Sequence, residues 1–290
     1  MLETSKTFVN TWECDENNHL NVQFYFDRFE DADSHFRLLT GLDADRLGPR
    51  RTRHVRYHRE SHVGDLQTVT SGVADASADT VSLVHVLTDE ASGEISATAL
   101  DVYDPPSPLA NALTADLPRL PDDLRATVMP RSFVDPAPAC TATPEDILEA
   151  GGFTTARGRV LPAQCTAEGR MDDRFVIATL SNAASHVWEA SPLTKDWLDA
   201  NSYGRVAMEM RVVYGGAIPA GTLTHVVSKW MQAGRTVFSF RHHIFDARSG
   251  ACRVIVDSAG LVMDLNKRKS VPLSEDFRAT LNSLAGCAAE

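Results

Sequence analysis

Apolar residues recur at intervals of three and four between positions 22 and 39: Val22, Tyr25, Phe26, Phe29, Ala32, Phe36 and Leu39. At 3.6 residues per turn this spacing draws one stripe, which predicts an amphipathic helix with a buried face. A short run near 6–12 reads as a strand before it. Four runs after it, at 52–62, 65–76, 79–88 and 94–103, read as strands, with the hairpin turn Ala91-Ser92-Gly93 between the last two. The order then returns: a helix at 172–189 and strands at 204–217, 222–232, 235–246 and 251–263. A short helix at 274–284 closes the pattern. A long helix followed by antiparallel strands is an α+β arrangement, in which a sheet wrapped around the helix buries both apolar faces.

The return of the pattern is also a return of sequence. VNTWEC at 9–14 aligns with VLPAQC at 160–165, an offset of 151 that holds for Phe24/Phe175, Ala32/Ala183, Ser34/Ser185 and His35/His186. VRYHRESHVGDL at 55–66 aligns with VVYGGAIPAGTL at 212–223, and DEASG at 89–93 with DARSG at 246–250, both at an offset of 157. Ordered matches at a nearly constant offset point to an internal duplication, with about six residues added between helix and strand in the second copy. The halves are 1–104 and 153–290. Between them, 105–152 holds nine of the fourteen prolines. Proline cannot donate to a sheet ladder, so this stretch reads as a linker rather than a third strand-rich domain.

Composition narrows the setting. A length of 290 residues fits about two domains, and 43% hydrophobic with 23% charged residues is ordinary for a globular core. No apolar run approaches the roughly 18 residues of a membrane span, and MLETSKTF lacks the charge and apolar pattern of a signal peptide. The cysteines, at 14, 140, 165, 252 and 287, form no CxxC pair, and their odd number argues against a full disulfide framework. These features predict a reduced, cytoplasmic protein without a membrane partner. A net charge of −11 argues against nucleic acid and against docking of a strongly acidic carrier protein.

Candidate chemistry gathers ahead of the first helix. DENNHLN at 15–21 sets Asp15, Asn17, His19 and Asn21 on alternate positions, as on a strand edge or extended loop feeding a helix N-terminus. Together with YHRES at 57–61 and the pair Gly64-Asp65, this segment resembles the active-site pattern Asp-x-Asn-x-His-x-Asn of acyl-ACP thioesterases and related bacterial acyl-CoA thioesterases. Trp12 before the Asp and Tyr25 on the following helix fit the same context. The resemblance implies a tandem (double) hotdog fold, each half a long helix wrapped by an antiparallel sheet. Its implied catalytic set is Asp15, Asn17, His19 and Glu60; Asn21, Tyr25, Tyr57, Ser61, Arg56 and Arg59 are its implied substrate contacts. It implies no cofactor, coenzyme A entering only as part of an acyl-CoA substrate. Ser61 stands where that family often has Cys, which removes a thiol nucleophile there. The motif also lies in the first half, whereas in the plant enzymes it lies in the second. At offset 151 the second half has Thr166, Glu168 and Arg170, which predicts one site per tandem pair with the second half as partner and wall.

In that setting Asp15 can attack a thioester or deprotonate a water, and a helix N-terminus can hold the developing oxyanion. Plainer readings stand beside these. Asp15 or Asn21 can cap the helix, and Glu60 can pair with Arg56 or Arg59. Gly48–Arg59 carries arginines 50, 51, 53, 56 and 59, which suit either the phosphates of coenzyme A or a solvated strand edge; NKRKS at 266–270 has the same ambiguity. His54, His58 and His62 share a strand face, but over roughly 26 Å at about 3.3 Å per residue, too far for one ion, so no metal is expected. Phe24, Tyr25, Phe26 and Phe29 read as helix–sheet core, and Trp188, Trp197 and Trp230 as packing. A non-catalytic acyl-binding protein is the competing class. A hydratase on the same fold lacks its Asp-x-Asn-Pro-x-His segment here. A tandem pair can mimic the dimer of single hotdogs, and a homo-oligomer of tandem hotdogs stays open.

Overall fold

The computed structural model describes residues 1–290 except 16, 17, 78, 107–113 and 287–290. The chain divides into two compact units, Met1–Asp135 and Pro136–Glu290. No helix among the described residues is long and apolar enough to cross a membrane.

In the first unit, strands β1 (Leu2–Phe8), β2 (Arg50–Tyr57), β3 (Leu66–Ala76), β4 (Val81–Asp89) and β5 (Ile95–Tyr103) form an antiparallel sheet in the order β1-β3-β4-β5-β2. Helix α1 (Val22–Thr40) lies across β1, β3 and β4 and buries Phe26, Phe29, Ala32 and Phe36 completely. Asn21 caps its start, and Gly41 ends it at φ +69°, a left-handed conformation that glycine adopts without a Cβ clash.

The stripe departs from its expected course at both ends. Leu39 is 58% exposed, while Phe24 is buried. The buried face also carries two charges, Arg28 and Asp33. The first strand lies at 2–8 rather than 6–12. Thr11–Glu13 instead form a single tight turn, held by the Asn10 backbone N–H on the Glu13 carboxylate at 2.8 Å, and leave Trp12 on the surface.

Beneath α1 the sheet holds a buried ionic cluster. Arg53, fully buried, donates to both oxygens of Asp101 at 2.8 and 2.6 Å, and Arg50 reaches Glu30 at 2.7 Å and Asp101 at 3.2 Å. Burial alone would push the Asp101 carboxyl up, but the two guanidiniums hold it far below the usual carboxylate range.

In the second unit, β6 (Phe153–Arg159), β7 (Tyr203–Tyr214), β8 (Leu223–Ala233), β9 (Val237–Asp246) and β10 (Cys252–Asp264) form an antiparallel sheet in the order β7-β10-β9-β8-β6, with β11 (Lys269–Ser270) on β10. Helix α2 (Asp173–Glu189) packs on β6 and β8. The residues added in this copy include helix α3 (Lys195–Asn201), capped by Thr194, which the sequence reading passed over. Helix α4 (Glu275–Leu284) packs on β8. Trp188, Trp230, Phe238 and Phe240 form an aromatic core, joined at its margin by Trp197.

The duplication is visible in buried polar side chains as well as in topology. Thr4 Oγ1, Ser71 Oγ and His85 Nδ1 form a chain of hydrogen bonds, each 2.7 Å, across β1, β3 and β4. Thr155, Ser228 and His242 repeat it with two bonds of 2.6 Å across β6, β8 and β9. Among its described residues the proline-rich stretch packs on both sheets. Val128 enters an outer cluster with Val84, Val86 and Leu100 of the first sheet, and Ile147 packs against Val213, Val227 and Ile255 of the second. The stretch meets β3 through a parallel bridge, Arg119 on Val73, and its apolar residues cover sheet faces that would otherwise meet water.

Candidate active site

The segment ahead of α1 is a closed loop rather than an extended edge. Cys14 and Leu20 form an antiparallel bridge. Within it the Asp15 N–H donates to the His19 carbonyl at 2.9 Å, and the Asn18 N–H to the Asp15 carbonyl at 3.1 Å. The chain turns back through Asn18 at φ +59°, a left-handed value that asparagine tolerates better than most residues. Two further bonds seat the loop: the Leu20 N–H donates to the Ser61 carbonyl at 2.8 Å, and the Asn21 N–H to the Glu13 carbonyl at 2.9 Å. His19 thereby becomes the bridge partner of His62, and their rings meet edge to face with centroids 4.9 Å apart.

A buried network lies behind the loop. Arg28 donates to both Glu13 oxygens at 3.1 and 2.8 Å and to Gln67 Oε1 at 3.2 Å. Gln67 Nε2 donates in turn to Ser61 Oγ at 2.9 Å. Burial alone would raise the Glu13 carboxyl, but bonds from Arg28 and Asn10 hold it below its ordinary value, so it remains an anion beneath the loop. The network ties α1, β3, the loop and the segment after β2 into one support.

Of the expected catalytic residues, Asp15, His19 and Glu60 come together. The Asp15 carboxylate accepts the His19 backbone N–H at 3.1 Å, and His19 Nδ1 lies 3.5 Å from Glu60 Oε1, the His19 and Glu60 side chains each about one-fifth exposed. Asn17 lies outside the described residues. Asn21 spends its side-chain oxygen on the Gln23 N–H at 3.2 Å, a helix cap. Tyr25 is buried; its hydroxyl accepts the Ser61 N–H at 3.3 Å, and its ring meets that of Tyr57 edge to face at 5.2 Å. Burial raises the hydroxyl pKa of both tyrosines, which makes them neutral hydrogen-bonding walls rather than bases. Ser61 is fully buried, its hydroxyl taken up by Gln67.

The arginines expected as substrate contacts are turned elsewhere. Arg56 is buried and donates to the carbonyls of Ala126, Thr127 and Met129, pinning the proline-rich stretch to the sheet. Arg59 pairs with Asp89 and Glu94, each at 3.3 Å. Arg50 and Arg53 belong to the buried cluster, and Arg51 is bound to Asp104. Burial pushes the Cys14 thiol up, with Asp15 adding to the effect, so the nearby cysteine has little thiolate character. The residues that sequence reading missed are Glu13, Arg28 and Gln67; His62 it considered only with His54 and His58 along one strand, not beside His19. Arg28 did leave a trace: it falls on the apolar stripe between Tyr25 and Ala32, where a charge needs a buried partner.

The second unit builds the same loop backbone. Cys165 bridges Met171, the Thr166 N–H donates to the Arg170 carbonyl at 2.8 Å, and the Gly169 N–H to the Thr166 carbonyl at 2.9 Å. Met171 N–H donates to the Ile218 carbonyl and Asp172 N–H to the Gln164 carbonyl, at 2.8 and 2.9 Å. Gly169 has φ +77° where the first unit has Asn18. Asp172 caps α2 as Asn21 caps α1. The side chains differ throughout: Thr166 for Asp15, Arg170 for His19, Ala217 for Glu60 and Pro219 for His62. Thr166 Oγ1 makes no hydrogen bond, so the loop closes without the bond that Asp15 supplies.

Comparison with known proteins agrees with this doubled architecture. A family model described as the thioesterase-like superfamily matches residues 9–103 and 160–281, one segment in each unit. Among solved structures, a protein described as an oleoyl thioesterase from Lactobacillus plantarum aligns at a TM-score of 0.62 with 12% identity, over 90% of this chain and 96% of its own. An acyl-ACP thioesterase from Bacteroides thetaiotaomicron aligns at 0.58 with 10% identity, over 89% and 96%. The 12:0-ACP thioesterase from Umbellularia californica aligns at 0.56 with 11% identity, over 88% and 92%. At these identities the likeness is one of fold, and it is the tandem hotdog. No curated protein matches the sequence at a significant level.

Proposed function

This chain belongs to the thioesterase-like superfamily, and from that premise we propose that it hydrolyses an acyl-CoA to the free acid and coenzyme A at the Asp15, His19 and Glu60 edge of the first unit. The observation that carries the reading is the 3.5 Å approach of His19 Nδ1 to Glu60 Oε1 on a loop whose Asp15 carboxylate accepts the His19 backbone N–H. The matching loop of the second unit keeps the backbone and none of the three side chains.

Asp15 supplies the carboxylate that attacks the thioester carbonyl or takes a proton from the attacking water. The carbonyl oxygen gains negative charge as the bond forms, and the positive end of α1 lies where that charge is stabilised. The C–S bond then breaks and the departing thiolate takes up a proton; on the nucleophilic route water then opens the anhydride formed with Asp15, which releases the acid and restores the carboxylate. His19 and Glu60, whose ring nitrogen and carboxylate approach to 3.5 Å at the rim, orient the water and share the proton. Tyr25, Tyr57 and Ser61 wall the site, and Asn21 fixes the helix end toward which the substrate carbonyl points. The proposal needs no cofactor.

Coenzyme A is the proposed carrier because the net charge of −11 opposes a broad interface with a strongly acidic carrier protein. An acyl-ACP substrate is the second reading, favoured by two fold neighbours described as acting on acyl-ACP. Thiol release from matched acyl-CoA and acyl-ACP series separates the two: faster turnover of the CoA ester supports the proposal, and turnover confined to acyl-ACP replaces it. Tight acyl-CoA binding with no thiol released would make the protein an acyl-CoA binder. A single turnover in ¹⁸O-water tests Asp15: label retained in its carboxylate marks it as a nucleophile, whereas label in the acid alone fits both a base and an anhydride opened at the acyl carbon.

A further inference from the structure

We propose that His19, Glu60 and His62 form a binding site for one divalent transition-metal ion of the zinc type, open to solvent and present in the first unit alone. One ligand atom from each residue lies within 4.8 Å of the other two. His19 Nδ1 and Glu60 Oε1 are already 3.5 Å apart. Bonds of about 2.0–2.1 Å in tetrahedral geometry set ligand atoms roughly 3.4 Å apart, so closure asks for about 1 Å of side-chain movement. His62, with 49% of its side chain exposed, has room to make it. Two imidazoles and one carboxylate suit zinc, cobalt, nickel or copper, whereas magnesium and calcium favour all-oxygen sets. The three ligands leave a coordination position toward solvent, and the Asp65 carboxylate lies 3.9 Å from His62 Nδ1 and accepts the His62 backbone N–H at 2.8 Å.

The site comes from two segments that the fold joins. The bridge between His19 and His62 sets the imidazoles side by side, which the spacing of histidines along a single strand cannot do. The second unit is an internal control: the same bridge there joins Arg170 to Pro219, and Ala217 stands in place of Glu60. The other described group with suitable donor atoms, Asp33, His85 and Asp101, is fully buried, and Arg37, Arg50 and Arg53 already neutralise its carboxylates. Occupancy of the open site would engage His19 and Glu60. On the functional reading above, zinc is therefore a reversible inhibitor whose removal restores hydrolysis.

Calorimetric titration of the full chain, freed of metal by chelator, with zinc chloride tests the site without substrate. One ion per chain, bound at least about tenfold more weakly by His62→Ala and by Glu60→Gln, is the expected result. Far-UV circular dichroism verifies that both variants are folded, and the exposure of His62 makes its variant the safer of the two. Absent zinc binding in the wild type, or equal binding by wild type and both variants, overturns the site. Because binding is read directly, an inactive protein that still binds zinc through these residues sinks the hydrolase reading and leaves the metal site standing. An active enzyme that binds no zinc does the reverse.

Discussion

The loops at 14–20 and 165–171 are one backbone carrying two chemistries. Each closes with the same bridge and the same bonds to the strand segment that follows the helix, and each turns through a left-handed residue ahead of a capped helix. The loop, the cap and the helix therefore do not require Asp15, His19 or Glu60, since the second unit achieves all of them with Thr166, Arg170 and Ala217. Two copies in one chain separate what the architecture needs from what is left over for function. The supports diverge too. Glu13, Arg28 and Gln67 brace the first loop, and the matching positions hold Gln164, Thr179 and Thr224. Conversely, the sheet positions of Val73, Val81 and Leu83 are taken by Trp230, Phe238 and Phe240 in the second unit, whose core is aromatic.

The comparison breaks most readily at the carboxylate. Asp15→Ala is expected to lower kcat about 10²- to 10⁴-fold, while Thr166→Ala leaves it unchanged. Equal turnover by wild type and Asp15→Ala would remove Asp15 from the chemistry. The next largest effect concerns stability. Arg28→Met leaves the Glu13 carboxylate buried without its cation and is expected to cost about 3–5 kcal/mol in urea unfolding. Thr179→Ala at the matching position should cost well under that, and similar losses would show that the network is no special support.

Acid should separate the units further. Burial, with the neighbouring His243 adding to it, lowers His242 to about 3, and burial lowers His243 to about 4. An unfolded histidine titrates near 6.5. Between these values the unfolded chain binds protons that the folded chain does not, so stability is full above about pH 6.5 and declines as pH falls toward 4 and then 3. The slope is up to about 1.4 kcal/mol per pH unit for each histidine. Asp101 of the first unit acts in the same direction but at lower pH: its carboxyl stays ionised in the fold, so the stability it contributes is lost only as pH falls through and below the ordinary carboxylate value of about 3.9. Trp188, Trp197 and Trp230 report on the second unit, so urea midpoints by tryptophan fluorescence at pH 7 and 5 measure the decline, and His242→Gln should flatten it. An unchanged slope in that variant would remove His242 as a source.

The smallest effect is also the most even-handed. Asn21→Ala and Asp172→Ala each remove one cap and should each cost about 1 kcal/mol of stability. Only Asn21→Ala is expected to slow thioester hydrolysis as well, because only α1 begins at the proposed site. Equal catalytic effects from the two caps would mean that helix ends act through general stability alone.

What was legible in the sequence was whatever repeats locally or repeats as a copy. The stripe from Phe26 to Phe36, the alternation of the strands and the offsets of 151 and 157 follow from backbone periods of 3.6 and 2 and from duplication, and they led to the doubled α+β architecture. Asp15, His19 and Glu60 were legible through a motif, although the motif read as extended backbone and the chain closed it into a loop. Short-range chemistry hid the turn at Thr11–Glu13, which depends on the bonds between Asn10 and Glu13.

Only the tertiary structure decided which polar residues face one another. Arg56 looked like a phosphate ligand until three carbonyls some 70 residues away enclosed it. The bracing of Glu13 by Arg28 and Gln67, and the meeting of His19 with His62, likewise join positions far apart in the chain. Local periodicity records which face of an element is apolar. The partner of a buried charge depends instead on strand register and helix seating, which arise when distant segments share one core.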